Sequence, residues 1–381
     1  MRALTPMTDV TYRALFCDLL TDRVIDALPL TDVEFDDFIG KPGQLRATVP
    51  LPDEALARRA RAALRPGRTA VWLERGSDIW WGGILWTSTP AGDERGRLSV
   101  QIQAGTFDSY LEHRILSQDV HFPPDAKPAL PPVDQFEIVR GLVRHAQEQP
   151  GGDIGITFGK EVSGVTARRS YAWSDLARVR ELIDQLAAME NGFEWRVHCY
   201  RDPASGARVK RLQLGHPRIT TSALADIVLD RPGQVLAYSL PADSTVQANV
   251  WVARGESDNR DQASESRPQL SAVQVATADL RAGWPRLEGS SDLSGISDKR
   301  LLDGSAAAEL QRARSPQVIP EVTIRVDGRI TPALIGATVL LRIRDGWHRE
   351  GPDVRYRVVG LTVTPPARGK GETAKLYLEE A

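Results

Sequence analysis

At 381 residues, 41% of them hydrophobic and 26% charged, the chain exceeds one ordinary domain and has the means to bury real cores, which excludes a disordered tail and a membrane-embedded bundle. A formal charge of −2 without any lysine- or arginine-rich block argues against tight binding of a nucleic-acid backbone, which needs a concentrated basic face. Two cysteines, Cys17 and Cys199, support neither a disulfide framework nor a thiolate metal site and read as buried, reduced thiols.

From Met1 to Tyr12 there is no apolar run of signal-peptide length, and no stretch reaches membrane-spanning length, so assembly in the cytoplasm is expected. Val10 to Leu20 places Tyr12, Ala14 and Phe16 against Thr11 and Arg13. Val24 to Leu30 follows the turn Thr21-Asp22-Arg23, and the two runs read as paired strands. Asp32 to Ile39 is a third strand, with Asp32, Glu34 and Asp36 on one face and Val33 and Phe35 on the other. The Gly40-Lys-Pro-Gly43 turn then leads into Leu45, Ala47, Val49 and Leu51.

Pro52 at the first helical position, Asp53 and Glu54 in the first turn and Arg58, Arg59 and Arg61 near the end predict a short helix that plugs one end of a barrel. A hairpin follows, Ala70 to Glu74 and Ile79 to Trp86 about the turn Arg75 to Asp78, carrying Trp72, Trp80, Trp81 and Trp86. Such an aromatic stripe fits a carbohydrate site, but clustered tryptophans in β-rich proteins are more often core or subunit interface, and these four are the interface candidates. Leu98, Val100 and Ile102 end the set.

The proline-rich stretch from Phe122 to Pro132 reads as a linker. Asp134 caps a helix carrying Phe136, Val139, Leu142, Val143 and Ala146, stopped at Pro150-Gly-Gly152. A second amphipathic helix is predicted from an N-cap at Ser174 through Leu176, Val179, Leu182, Ile183, Leu186 and Met189. Asn191-Gly192 ends it in left-handed geometry, and a strand with Phe193, Trp195, Val197 and Cys199 inward follows, paired with Val209 to Leu214.

Val246 to Ala253 is a further strand, and Arg254 to Pro268, charged and serine-rich, a flexible loop. Ser297 opens a third helix through Leu301, Leu302, Ala306, Ala307 and Leu310 to Pro316. The end is all strand: Val322 to Val326, Val339 to Arg344, Arg355 to Val363 and Ala374 to Glu379.

Chemistry-bearing patterns are lacking. His113, His121, His145, His198, His216 and His348 show no metal spacing, so neither metal nor cofactor is expected. The glycines of Gly152 to Gly159 and Gly369-Lys370-Gly371 fit neither a dinucleotide nor a phosphate loop, and no Gly-x-Ser-x-Gly elbow exists. Asp32, Glu34, Asp36 and Asp37 offer carboxylates of the kind a glycosidase pair uses, but same-face carboxylates at strand period form a solvated stripe. No catalysis is expected.

In sequence the chain resembles the hub proteins of phage tail tips, particularly minor tail proteins of siphoviruses infecting actinobacteria. The resemblance is carried by Trp80-Trp-Gly-Gly-Ile-Leu-Trp86, Phe107-Asp-Ser-Tyr-Leu-Glu-His-Arg114, Asn191-Gly-Phe-Glu-Trp-Arg196, Pro320-Glu-Val-Thr-Ile-Arg325, Gly336-Ala-Thr-Val-Leu-Leu-Arg342 and Tyr356-Arg-Val-Val-Gly360. Relatives often have aspartate after the glycine that stands here as Gly336.

The resemblance implies a mainly β protein with α+β insertions, of baseplate-hub type. Its parts are a first tail-tube-like β-barrel over residues 1–131, an α/β subdomain over 132–218, and a second barrel region over 219–381 with a helical insertion at about 297–314. It further implies a homotrimeric, pseudo-sixfold ring at the virion tail tip. Its partners are the distal tail or tail-tube protein, tip or receptor-binding proteins and the tape measure protein, and DNA passes without specific binding. Asp32, Glu34 and Asp36 are the candidates for lining that channel. Ending at Ala381, soon after its last strand, the chain reads as hub alone. The alternatives are the hub of a contractile injection system and, in another class, a tail-tip cell-wall hydrolase or carbohydrate-binding module.

Overall fold

The computed structural model describes residues 11–124, 130–189, 191–221, 227–257, 267–293, 298–315, 320–351, 353–367 and 369–380. These form two compact units, one of Met1–Ala237 with Val322–Ala381 and the other of Tyr238–Glu321.

The first unit opens with β1 (Tyr12–Asp18), β2 (Val24–Leu28), β3 (Thr31–Phe38) and β4 (Gln44–Leu51). β1 is buried on both faces from Ala14 to Cys17, because it lies between β2 and a later strand with a helical layer over it. Helix α1 (Glu54–Ala63) begins two residues later than expected. Asp53 is its N-cap, accepting from the Leu56 N–H at 2.7 Å, and Pro52 precedes the cap. Its Ala60 and Ala63 are buried where it packs on β2 and β4, strands of a sheet that does not close into a barrel among the described residues. β5 (Thr69–Arg75), β6 (Asp78–Gly92) and β7 (Leu98–Thr106) continue the sheet as predicted.

The α/β layer follows. β8 (Val120–Phe122) opens the segment read as linker, but it pairs with a later strand and Phe122 packs against Gly141, where a Cβ would come within 2.4 Å of the ring. Residues 125–129 of that segment lie outside the described residues. β9 (Val133–Asp134) leads into α2 (Gln135–Glu148), capped by Asp134 at 2.9 Å from the Phe136 N–H. Then come β10 (Ile156–Phe158), β11 (Thr166–Ala167), which pairs with β9, and β12 (Arg169–Tyr171), which pairs with β8.

Helix α3 (Val179–Ala187) is shorter than its apolar period suggested. Trp173–Asp175 makes a separate 3-10 turn, and Leu176 has φ 50° and is 58% exposed, so neither Ser174 nor Leu176 belongs to the helix. Met189 is likewise exposed. The helix ends at Ala187, four residues before the expected stop; Asn191 does take the left-handed conformation, at φ 57°, and a Cβ on Gly192 would lie 1.8 Å from the Ala187 carbonyl oxygen. β13 (Glu194–Arg201) and β14 (Arg208–Gly215) then pair in antiparallel register, with β10 parallel to β14. Phe136, Val139, Ile183, Trp195 and Val197 share one continuous core with Leu15, Trp72, Ile84 and Phe107 of the first strands, so this layer is welded to the sheet below it.

β15 (Ile227–Arg231) and β16 (Val235–Ser239) bring the chain to the second unit. There β17 (Val250–Ser257) is flanked by β18 (Pro268–Leu270), β19 (Gln274–Val275), the short helix α4 (Thr277–Arg281) and β20 (Glu288–Asp292), which runs parallel to β17. β17 takes in Arg254 to Ser257, which were expected in a loop; residues 258–266 lie outside the described residues. Helix α5 (Lys299–Ala313) buries Leu302 and Ala306 against Ala253. Its N-cap is Asp298, and Ser297 lies outside the described residues.

The final strands return to the first unit as β21 (Glu321–Arg325), β22 (Thr338–Ile343), β23 (Asp353–Thr364) and β24 (Thr373–Glu380). One 13-stranded sheet results, in the order β16-β21-β24-β23-β3-β4-β7-β6-β5-β1-β2, with β22 joining β23 to β15. Among the described residues no pairing joins its ends, so where two tail-tube-like barrels were expected the strands form one open sheet, whose first and last parts are joined where β23 pairs with β3. Alternation in a sequence fixes which face of a strand is buried and leaves its partner undetermined.

Candidate functional site

The α/β layer is tied to the sheet by three buried arginines. Arg196 lies between Trp195 and Val197 on β13. Its Nε donates to Gln213 Oε1 at 2.9 Å, one terminal nitrogen to Asp37 Oδ2 of β3 at 3.1 Å, and the other to His198 Nδ1 at 2.7 Å. A guanidinium has donors alone, so His198 Nδ1 must carry its lone pair. Burial, helped by the Arg196 and Arg211 charges, pushes His198 down to about 3. Burial pushes the Asp37 carboxyl up to about 6, against the pull of Arg196 and with Asp108 adding to the rise.

Arg180 of α3 reaches Asp108 at 2.8 Å and the Gly40 carbonyl at 2.9 Å, and its guanidinium lies 4.8 Å from the Trp195 ring centre. Arg357 of β23 donates to Glu194 Oε2 at 2.7 Å, to Glu379 Oε1 at 2.8 Å and to the Ile219 carbonyl at 2.9 Å. At the far side of the sheet, Arg75 of β5 grips Glu372 through two bonds of 2.8 and 3.0 Å, and the Tyr12 hydroxyl donates to the same carboxylate. Each cation is spent on a carboxylate or a carbonyl. The arrangement holds strands together.

Both thiols and Lys210 are drawn into the interior. Burial pushes the Cys17 thiol up to about 11 and raises Cys199 as well, the opposite of what a nucleophile needs. Lys210 is buried, its ammonium donating to the Ile154 carbonyl at 2.6 Å and lying 4.5 Å from the Phe107 ring centre. No group of metal-binding side chains occurs among the described residues.

The tryptophan hairpin does not offer the surface expected of an interface. Trp72, Trp80 and Trp81 are 0, 4 and 2% exposed within this one chain, so the core hides them without a second subunit. Trp72 Nε1 donates to Asp22 at 2.8 Å and Trp81 Nε1 to the Asp36 carbonyl at 2.9 Å. Trp86, partly buried, donates to Ser109 at 2.9 Å.

The acidic strand is also changed by detail. A β-bulge at Asp32 and Val33, with Asp32 at φ 52°, puts Thr31 opposite Thr48 and Glu34 opposite Arg46. Asp32 therefore drops out of the alternation. Asp36 folds back to accept the Gln44 N–H at 2.7 Å, and burial raises its carboxyl.

What spans the sheet on that side is a mixed polar face: Thr87 and Thr89 of β6, Gln101 and Gln103 of β7, Arg46 and Thr48 of β4, Glu34 and Asp36 of β3, Thr362 of β23 and Lys375 of β24, in cross-strand register. Val49, Ile102, Phe35 and Leu376, at alternate positions, are buried on the opposite side. Acidic residues alone drew attention in the sequence. The glutamines, threonines and Arg46 were missed because a neutral polar residue in a strand signals only an outward side.

No family model and no curated protein sequence matches the chain. Its fold does match solved structures over nearly its whole length. The 43 kDa tail protein of prophage MuSo2 from Shewanella oneidensis superposes with a TM-score of 0.61 at 12% identity, covering 97% of this chain and 98% of that one. A tail protein from Neisseria meningitidis gives 0.57 at 10% identity over 97% and 96% of the two chains. A chain of the Francisella PdpA–VgrG complex gives 0.55 at 10% identity, covering 97% of this chain and 57% of that one. The fold is therefore that of phage tail proteins, mainly β and with its α/β layer included.

Proposed function

We propose that this protein is the structural hub of a phage tail tip. The observation that carries the reading is coverage: the likeness to tail proteins takes in 97% of this chain and 96% and 98% of those chains. The hub is a homotrimer whose two half-sheets per copy make a pseudo-sixfold ring joining the tail tube to the tip. Its neighbours are the distal tail or tube protein, the tape measure protein and tip or receptor-binding proteins.

The polar face around Glu34, Asp36, Arg46, Gln101 and Gln103 turns toward the channel, with Asp32 at its rim. Carrying both signs and many neutral amides, it gives phosphates no concentrated cation patch to bind, so DNA slides past. The role is non-enzymatic. Native mass measurement of the assembled tip tests the copy number, and a peptidoglycan-hydrolysis assay on the purified chain tests the absence of turnover.

A second reading, the hub of a contractile injection system, is favoured by the match to the Francisella complex. Imaging the particle for a contractile sheath separates the two.

A further inference from the structure

Among the described residues the most exposed large apolar side chain is Trp347, at 88%. It stands on a built turn between β22 and β23. Asp345 Oδ1 accepts from the N–H groups of Trp347 and His348 at 3.0 and 2.9 Å, and the Asp345 N–H donates to the His348 carbonyl at 3.1 Å. Gly351 closes the loop at φ +67°, where a Cβ would come 1.8 Å from the Ile343 carbonyl oxygen. An indole held in water by an ordered turn is pre-organised to bind, because little conformational freedom remains to be lost.

Where the β1–β2 turn meets the end of α1 lies an open hollow of about 580 Å³ lined by Val24, Ile25 and Ala62 and by Arg23, Arg65, Arg68 and the carboxylate-bearing Asp18. Val24 and Ile25 are exposed, unusual for the apolar side chains of an edge strand. Arg68 pairs loosely with Asp18 at 3.6 Å, whereas Arg23 and Arg65 have no ion pair among the described residues. An apolar floor rimmed by guanidinium groups is chemically suited to an indole, which buries its body on the aliphatic side chains and offers its face to a cation. This chain makes the same pairing internally, with Arg75 4.5 Å from the Trp80 ring centre. Around Trp347, Asp345 and Glu350 are balanced by Arg344 and Arg349, so the turn brings no net charge to repel the rim.

We propose that Trp347 of one copy docks into the Val24–Ile25–Arg65 hollow of the next, head to tail. Knob and hollow are different surfaces, so the contact is heterologous and generates a ring when its rotation closes. This rests on the trimeric hub reading and deepens it by naming the contact, which the buried tryptophan hairpin does not provide.

The test uses full-length chains in assembled tips. Chains carrying Ala62→Cys are mixed with chains carrying Gly346→Cys, both positions being exposed and Gly346 having open space for a side chain. The expected result is a disulfide-linked pair containing one of each, with neither variant linking to itself. Trp347→Ala should weaken trimer formation about thirtyfold or more and leave the melting temperature unchanged. Trimers that form normally with Trp347→Ala, and no mixed cross-link, would overturn the docking while the hub reading stands. Cross-linking of Gly346→Cys to another tail protein would overturn it too. A wild-type chain never trimeric, free or in tips, would instead remove the hub reading itself.

Discussion

Arg357 and Glu194 meet at 2.7 Å, Nη1 to Oε2, although 163 residues of chain separate them. The pair joins the last half-sheet to the α/β layer, and Glu379 on the neighbouring strand completes the clamp at 2.6 Å. Arg357 is 3% exposed, so its charge is stabilised by these carboxylates and by the Ile219 carbonyl in place of water.

Removing Arg357 leaves the part-exposed carboxylates of Glu194 and Glu379 without their cation and the Ile219 carbonyl without its donor, which costs about 1–3 kcal/mol. Arg357→Ala is expected to lose stability on that scale in urea unfolding of the full chain. A loss below about 1 kcal/mol would mean that the clamp is as weak as a surface ion pair.

The Asp37–Arg196–His198 group gives a pH signature with two opposed slopes. Asp37 rises from 3.8 to about 6 on folding, so its contribution is fully present below 3.8 and lost as pH rises toward 6. His198 falls from 6.5 to about 3, so its contribution is present above 6.5 and lost as pH falls toward 3. In the wild type the two oppose each other between about 4 and 6. His198→Asn should expose stability that falls with rising pH in that window, and Asp37→Asn stability that rises. Denaturant midpoints measured at several pH values check both signs.

Gly83 lies in β6 where β7 crosses closely. A Cβ there would come 2.1 Å from the Gly105 carbonyl oxygen and 2.4 Å from the Trp81 ring, and backbone has little room to yield. Gly83→Ala is expected to destabilise by about 1–3 kcal/mol, as overpacking does. Gly346→Ala, with nothing near its Cβ, is the neutral control in the same thermal melts.

Local order was legible in the sequence and long-range order was not. Alternation located β3 to β7, and Asp134 was identifiable as a cap because its acceptor precedes an apolar helical stripe. The start of α3 was misread since apolar spacing carries no record of φ, and Leu176 breaks the helix by a left-handed turn. The bulge at Asp32 escaped for the same reason. Arg196 and Arg357 each left a faint signal, a cation flanked by large apolar residues in a strand, but their partners lie on distant elements. Whether the sheet closes depends on which strands pair, and a strand's own residues do not encode that.

If the polar face lines a channel for DNA, adding cations to it should make phosphates stick. Gln101→Lys with Gln103→Lys is expected to slow DNA release from particles, with the delay shrinking as salt rises. Release at the wild-type rate at low salt would place that face away from the DNA.

The central claim is tested most directly by an electron-microscopic reconstruction of the particle that carries this chain. The account predicts three copies around the tail axis, with Glu34, Arg46, Gln101 and Gln103 facing that axis. Six copies or one at this position, or that face turned to the outer surface, would contradict it.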